Sequence, residues 1–429
     1  MAEIFLILGL IVVLTIFIVW PKLSLYTLAF LAPVIGWSLY WKNLILTPID
    51  LIAVLAALAF CLRLISQSLF KVKNPIKLKW PLWLPFLIFL AINCLSAFFS
   101  VDPSYSFWYI ARWLLLLYVG YILVPYNLID SGKTLKKTII ALVLSASIVL
   151  ISGLLSLYGQ DWSDSFFRIR SLSILGVYPF GENHNLIAEF LNVGVFLVLV
   201  LRELAKSEKS KKIWDIVAIL MAGGVILTFS RTGWITLILQ VILYFGYRLR
   251  NKIKFSSFVF ATLGILLILS PLLWKMYQLQ QENTSSTENR WLLTEIAWKN
   301  LQDKPYFGAG SGQFVNLVAD NVRFTAKYGA PLDSHGVLQK VAAENGAFGL
   351  AAWLFLLAYL FNIARKALKK YYHNHPWILP LFLAGAGGLF FQFFNTSYYK
   401  GKVWLPIAIA LAAIRLLEKK YESKDERKN

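Results

Sequence analysis

KTLKKTIIALVLSASIVLISGLLSLY, residues 133–158, opens with three lysines and then carries no charge from Thr138 to Tyr158. A helix of that apolar length rises about 30 Å, the thickness of a hydrocarbon core. Basic residues at one end mark the side that stays cytoplasmic. The same pairing recurs along the 429-residue chain, which is 58% hydrophobic and only 15% charged; soluble domains are about 45–50% apolar. The expected fold is an all-α polytopic membrane protein.

Candidate spans lie at roughly 4–20, 23–41, 49–66, 82–100, 108–127, 139–158, 186–201, 213–229, 232–247, 255–275, 337–364, 377–395 and 403–417. This gives about 12–13 transmembrane helices. The stretch from Ile4 to Trp20 lacks a basic leader and a small-residue cleavage site, so it reads as a retained span. Basic connections at 71–79, 133–137, 202–212, 248–254, 364–370 and from Arg415 onward hold more than half of the 42 lysines and arginines. They alternate along the chain, so all are expected in the cytoplasm. Thirteen crossings would put Met1 outside and twelve inside. The net charge of +20 is mostly this topology signal and suits anionic lipid headgroups rather than nucleic acid. Cys61 and Cys94 fall inside spans and are not spaced as metal ligands or a disulfide pair.

The opposite face receives the connections 100–106, 159–185, 229–234, 276–336 and 396–402. The expected organisation is helices over 1–275 with an outer loop at about 159–185, a large outer loop over 276–336, and C-terminal helices with a basic tail over 337–429. A connection of about 60 residues is too long to be a featureless link. Ser285 and Glu288 have capping-box spacing at the start of ENRWLLTEIAWKNLQDK. Trp291, Ala297 and Trp298 are expected on a face that lies against the bundle or its headgroup layer. Pro305 ends that helix, GAGSGQF (308–314) is a glycine-rich turn, and a short helix is expected over about 313–328.

Arg168, Arg170, Arg231 and Arg290 stand on this outer face. Arg231 sits between two apolar runs with no carboxylate nearby in sequence. Arginine at membrane depth costs about 2.5–3.5 kcal/mol on insertion scales and faces a cavity or partner. Two readings stand: an anion ligand, since guanidinium groups bind phosphate bidentately, or snorkelling to headgroups. Asn185 is placed to cap a span, and Glu189, one turn inside it, is a candidate partner for an arginine. His335 follows Asp333 and Ser334, either of which can cap the next helix. A helix N-terminus and nearby arginines disfavour imidazolium, which suits a general base; a headgroup-level histidine ending a span is the bland alternative. The four histidines show no metal-binding spacing and no G-x-S-x-G is present, so no metal, cofactor or serine nucleophile is expected.

Three ordered segments resemble the O-antigen ligase/polymerase superfamily of bacterial membrane proteins: TFSRTGW (228–234), ENRWLLTEIAWKNLQDKPYFGAGSGQF (288–314) and SHGVLQKVAAENGAFGL (334–350). The upstream RIRSLSILGVYPFGENHNLIAEF is similar to the family's segment ending in an Asn at a span mouth, so the resemblance covers roughly residues 165–350. It implies a GT-C-like glycosyltransferase of the inner membrane. Such an enzyme moves a glycan from an undecaprenyl-diphosphate carrier, on the periplasmic face, to the lipid A core or another glycan acceptor. By that resemblance Arg231 and Arg290, with Arg170 as a third contact, hold the donor diphosphate, His335 is the base, and Asn185 and Glu189 support the site. The resemblance also implies that no metal is needed. Gly336 follows His335 where the family often has Asn, so it says nothing of how the imidazole is oriented. Direct attack by the acceptor hydroxyl would invert the anomeric centre. The competing reading is a transporter of an anionic solute or lipid-linked glycan, for which inverted repeats would be the signature.

Overall fold

The computed structural model describes residues 2–41, 44–70, 76–158, 168–250 and 284–425, with a few isolated positions between them. The described chain is helical apart from a small antiparallel hairpin, β1 (Leu39–Trp41) and β2 (Leu44–Leu46). The helices are α1 (Ala2–Val19), α2 (Pro21–Phe30), α3 (Pro48–Leu69), α4 (Trp83–Phe98), α5 (Pro103–Leu128), α6 (Gly132–Tyr158), α7 (His184–Leu204), α8 (Glu208–Leu227) and α9 (Arg231–Leu249). After these come α10 (Thr284–Asp303), α11 (Phe314–Ala319), α12 (Val322–Tyr328), α13 (Val337–Tyr371), α14 (Ile378–Phe391) and α15 (Gly401–Asp425).

Among the described residues six helices are long and apolar enough to cross a membrane: α3, α5, α6, α7, α9 and α13. Fewer spans are thus met among the described residues than the expected 12–13, several of which fall on shorter helices or outside those residues. The spans expected at 4–20 and 23–41 are one apolar pair bent by 117° at the break before Pro21, with helix only as far as Phe30; counted as one span it raises the total to seven. Proline fixes the first turn of α2 but cannot continue α1. The helices at 83–98 and 378–394 are apolar but short, and the expected span at 255–275 lies almost wholly outside the described residues. The protein is a multi-pass membrane protein.

The core is one continuous cluster running through α2–α9 and α13–α15. At its centre α7 is buried on nearly every side, packed on α6, α8 and α14. Small residues permit that closeness: a Cβ on Gly194 would meet Ala146 at 2.8 Å and the Met221 sulfur at 3.0 Å. A second, smaller core of Leu292, Leu293, Ile296, Phe314, Val318 and Phe324 builds a cap from α10–α12, seated against Ala343 of α13. The expected helix over 313–328 is two helices, because Asn321 caps the second by accepting the Phe324 amide at 2.9 Å. α10 already begins at Thr284, so Ser285 lies inside it rather than at its cap, and Glu288 pairs with Lys327. Trp291 and Trp298 are 73% and 61% exposed while Ala297 is buried; the tryptophans face away from the bundle.

The cap is locked to α13 by a break in that helix. Gly346 has φ 65°, in the left-handed region, and a Cβ there would collide with the Tyr306 backbone. The helical hydrogen bonds lost at the break are replaced by the loop after α10. Ala309 and Gly310 donate to the Ala343 and Glu344 carbonyls at 3.0 and 2.9 Å, and the Ala347 amide donates to the Pro305 carbonyl at 2.8 Å. Asn300 adds a side-chain bond to the Ala343 carbonyl at 2.7 Å. The glycine-rich turn thus satisfies backbone groups that would otherwise be orphaned within the bundle.

Glu189 does not meet an arginine. Its carboxylate accepts from Lys402 Nζ at 2.5 Å, Gln392 Nε2 at 2.8 Å and Asn395 Nδ2 at 3.4 Å, and both charged side chains are almost fully buried. The pair ties α7 to the 392–402 connection. Removing one partner strands a buried charge, at a cost of about 3–5 kcal/mol. Lys402→Met is expected to lower the melting temperature in detergent clearly, and Glu189→Leu/Lys402→Met to regain most of it. Equal losses in the single and double variants would show that the pair is not what holds the connection.

Candidate active site

Arg231 is presented by a strained turn. α8 ends at Leu227, Phe229 adopts φ 53°, and Ser230 caps α9 by accepting the Gly233 amide at 3.1 Å. A bulky residue in the left-handed region is an outlier that the surroundings must hold in place. Asn185 helps hold it: its Oδ1 accepts from Ser230 Oγ at 2.6 Å. Asn185 therefore does not cap α7; Asn183 does, accepting the Asn185 amide at 2.9 Å. Arg231 itself is exposed and makes no ion pair among the described residues.

The alternation in FRIRS has a packing cause. Ile169 is fully buried against Gly153 of α6, and its amide donates to the Leu227 carbonyl at 2.9 Å. Arg168 and Arg170 thus flank the residue that docks on the end of α8, Arg168 half-buried and Arg170 exposed. Gln160 bonds the Arg168 backbone on both sides, and the Arg170 amide donates to Ser156 Oγ at 2.9 Å. Arg168 Nη1 lies 3.5 Å from His184 Nε2, and His184 also feels Arg170 and Arg290. The place of His184 within reach of three arginines follows from folding 168–170 onto the end of α8.

Arg290, in the first part of α10, comes to the same place from the cap. Burial, reinforced by Arg231, lowers its basicity, and its Nε has no partner among the described residues. Its helix is fixed to α13 through a short relay: Gln339 Nε2 donates to Thr294 Oγ1 at 2.5 Å, and Thr294 Oγ1 donates to the Arg290 carbonyl at 2.8 Å.

His335 lies two residues before α13. Neither Asp333 nor Ser334 caps that helix; Gly336 occupies the cap position with no side-chain bond. Asp333 instead accepts from the Ser334 amide at 2.8 Å and from buried Lys340 at 2.6 Å, which shapes the loop around the imidazole. Gly336 has no room for a side chain, since a Cβ would sit 2.6 Å from the Phe393 carbonyl. Burial, then the Arg290 charge, holds His335 below the ordinary histidine range, with Asp333 opposing. The imidazole is therefore neutral at pH 7 and has a lone pair to accept a proton. No group of three or more His, Cys, Asp or Glu side chains that could hold a metal occurs among the described residues. An apolar groove lined by Trp83, Phe86, Leu115 and Tyr118 lies between α4 and α5, away from the arginines.

Arg290 thus comes within electrostatic reach of Arg231, of His335 and of His184, which Arg168 and Arg170 also reach. The fold and this cluster define a multi-pass membrane protein with a cationic site at one end of its bundle, roofed by a helical cap. Residues 216–354, which include Arg231, Arg290 and His335, match the O-antigen ligase family model. The chain is also 23% identical over 338 residues to a ComP-specific O-oligosaccharyltransferase of Acinetobacter baylyi, a match covering 75% of this chain and 59% of that protein. The chain thus spans less than two thirds of that relative's length. Both matches support placing it in the O-antigen ligase/polymerase superfamily.

Proposed function

We propose that the protein transfers a glycan from a polyprenyl-diphosphate carrier, undecaprenyl diphosphate in a bacterial inner membrane, to a hydroxyl of a glycan or lipid A core acceptor on the periplasmic face. The observation that carries this reading is that Arg290, without a carboxylate partner among the described residues, lies within electrostatic reach of both Arg231 and the neutral imidazole of His335. The acceptor oxygen attacks the anomeric carbon while its proton passes to His335. The bond from the anomeric carbon to the carrier phosphate breaks, and its electron pair leaves on the diphosphate. Arg231 and Arg290, with Arg170 further out, hold the charge that grows there, a role a divalent ion fills in other enzymes. A single displacement inverts the anomeric centre. Asn185 acts at one remove, by holding the Ser230 turn that presents Arg231.

The test is reconstitution of the purified protein with a carrier-linked glycan and a panel of hydroxyl acceptors, with and without chelator. Transfer that survives chelation is expected. Uptake of solute into vesicles with no transfer to any acceptor would replace this reading with transport; loss of transfer on chelation would overturn the metal-free step.

A further inference from the structure

The cations of the bundle are not all spent on carboxylates. Lys400 lies in the 392–402 connection, partly accessible, and burial followed by the neighbouring Lys402 pushes its amine down to about 8. It feels Asp50, Glu189 and Asp333; two of these are ion-paired to other lysines, and Asp50 is hydrogen-bonded to two hydroxyls without forming an ion pair among the described residues. Asp50 accepts from Tyr121 Oη at 2.5 Å and Thr47 Oγ1 at 2.6 Å. Glu189 is taken by Lys402 and Asp333 by Lys340. Lys400 has no ion-pair partner among the described residues. Arg112 of α5 is in the same position: it too feels Asp50, makes no ion pair among the described residues, and keeps an unbonded Nε.

Arg112 stacks on an aromatic wall, and Lys400 directly follows that wall's Tyr399 in the chain. The Arg112 guanidinium lies 4.1 Å over the Trp113 ring, and Trp113 meets Tyr399, next in chain to Lys400, at 4.4 Å between centroids. Tyr109 closes on Tyr399 edge to face at 6.2 Å. Arg112 and Trp113 lie in a stretch of wide π-type turns, Ile110–Leu115, a distortion that recurs at functional sites. Flat rings beside fixed charged donors suit a sugar, whose C–H face lies on a ring while its polar groups meet the charges. The placement relative to His335 is also informative. The histidine loop rests on the 392–402 connection through Gly336 and Phe393, and Lys400 feels Asp333, two residues from His335. Arg290 reaches His335 from the cap, and Arg231, on the α8–α9 turn, reaches Arg290. A base that takes a proton from the acceptor must stand between acceptor and donor.

We propose that Arg112, Trp113, Tyr399 and Lys400 form the acceptor subsite, and that it takes a glycan carrying an acidic group, phosphate or carboxylate, near the hydroxyl that is modified. The proposal rests on the transferase reading above. The test has two arms, both on the full-length protein. In the first, binding of a hexose phosphate, a hexuronate and the parent hexose is measured by calorimetry for the wild type, Lys400→Gln, Arg112→Gln and Lys400→Arg. Acidic sugars should bind at least tenfold more tightly than the neutral one, the two Gln variants should lose that preference, and Lys400→Arg should keep it. The stronger of the two acidic probes names the source of the charge. In the second, KM is measured for paired acidic and neutral acceptors. The ratio between them should shift about tenfold against the acidic acceptor in Lys400→Gln, with donor KM unmoved. Equal binding of all three sugars to the wild type, or a change in donor KM alone, overturns the subsite. Absence of transfer by the wild type with normal acidic-sugar binding would count against the transferase reading and not against the subsite.

Discussion

His335→Ala is expected to slow glycan transfer by about 10²–10⁴-fold, the range over which a positioned general base acts, while donor binding stays near the wild-type value. The pH profile carries a sharper form of the same expectation. Burial and Arg290 depress the His335 pKa, so the neutral, proton-accepting form dominates at pH 7. Rate should be flat through neutrality and fall as pH drops below the usual histidine range of about 6.5. Removing the cation in Arg290→Gln raises that pKa, so the acidic limb should move to higher pH, whatever else the variant does to the donor. Normal turnover in His335→Ala removes it as the base. A rate that falls as pH rises through neutrality would mean that the protonated imidazole is the working form.

Arg231→Ala and Arg290→Ala should each cost about 10²–10³-fold in kcat/KM for the carrier-linked donor, the loss seen when one fixed donor to a developing anion is removed. The double variant should lose less than the product of the two, since a single remaining guanidinium cannot clamp a diphosphate from both sides. Lysine at either position keeps the charge but not the planar fork, and should recover only part of the loss. A full recovery by lysine would reduce the role of the arginines to local positive potential.

Much of this arrangement was legible in the sequence because topology is written in composition. Alternating basic connections sort the loops to two faces, and that sorting leads one to expect Arg231, Arg290 and His335 on the same one. The polar partners were not legible. Glu189 meets Lys402, 213 positions away, and nothing local to either announces the other. Asn183 and Asn185 are chemically equal candidates for the same cap, and only the approach of Ser230 assigns Asn185 elsewhere. The short connection 396–402 read as a turn. Its lysines and tyrosines gain meaning only from the α5 residues folded against them. Apolar length alone also did not show that the first two runs form one pair bent by 117° at Pro21.

The break at Gly346 also dictates an order of assembly. The helix bearing Arg290 leaves the ribosome before Ala343, Glu344 and Gln339, the groups that fix it in place. Until α13 has followed it, α10 lacks the hydrogen bonds that seat it on the bundle.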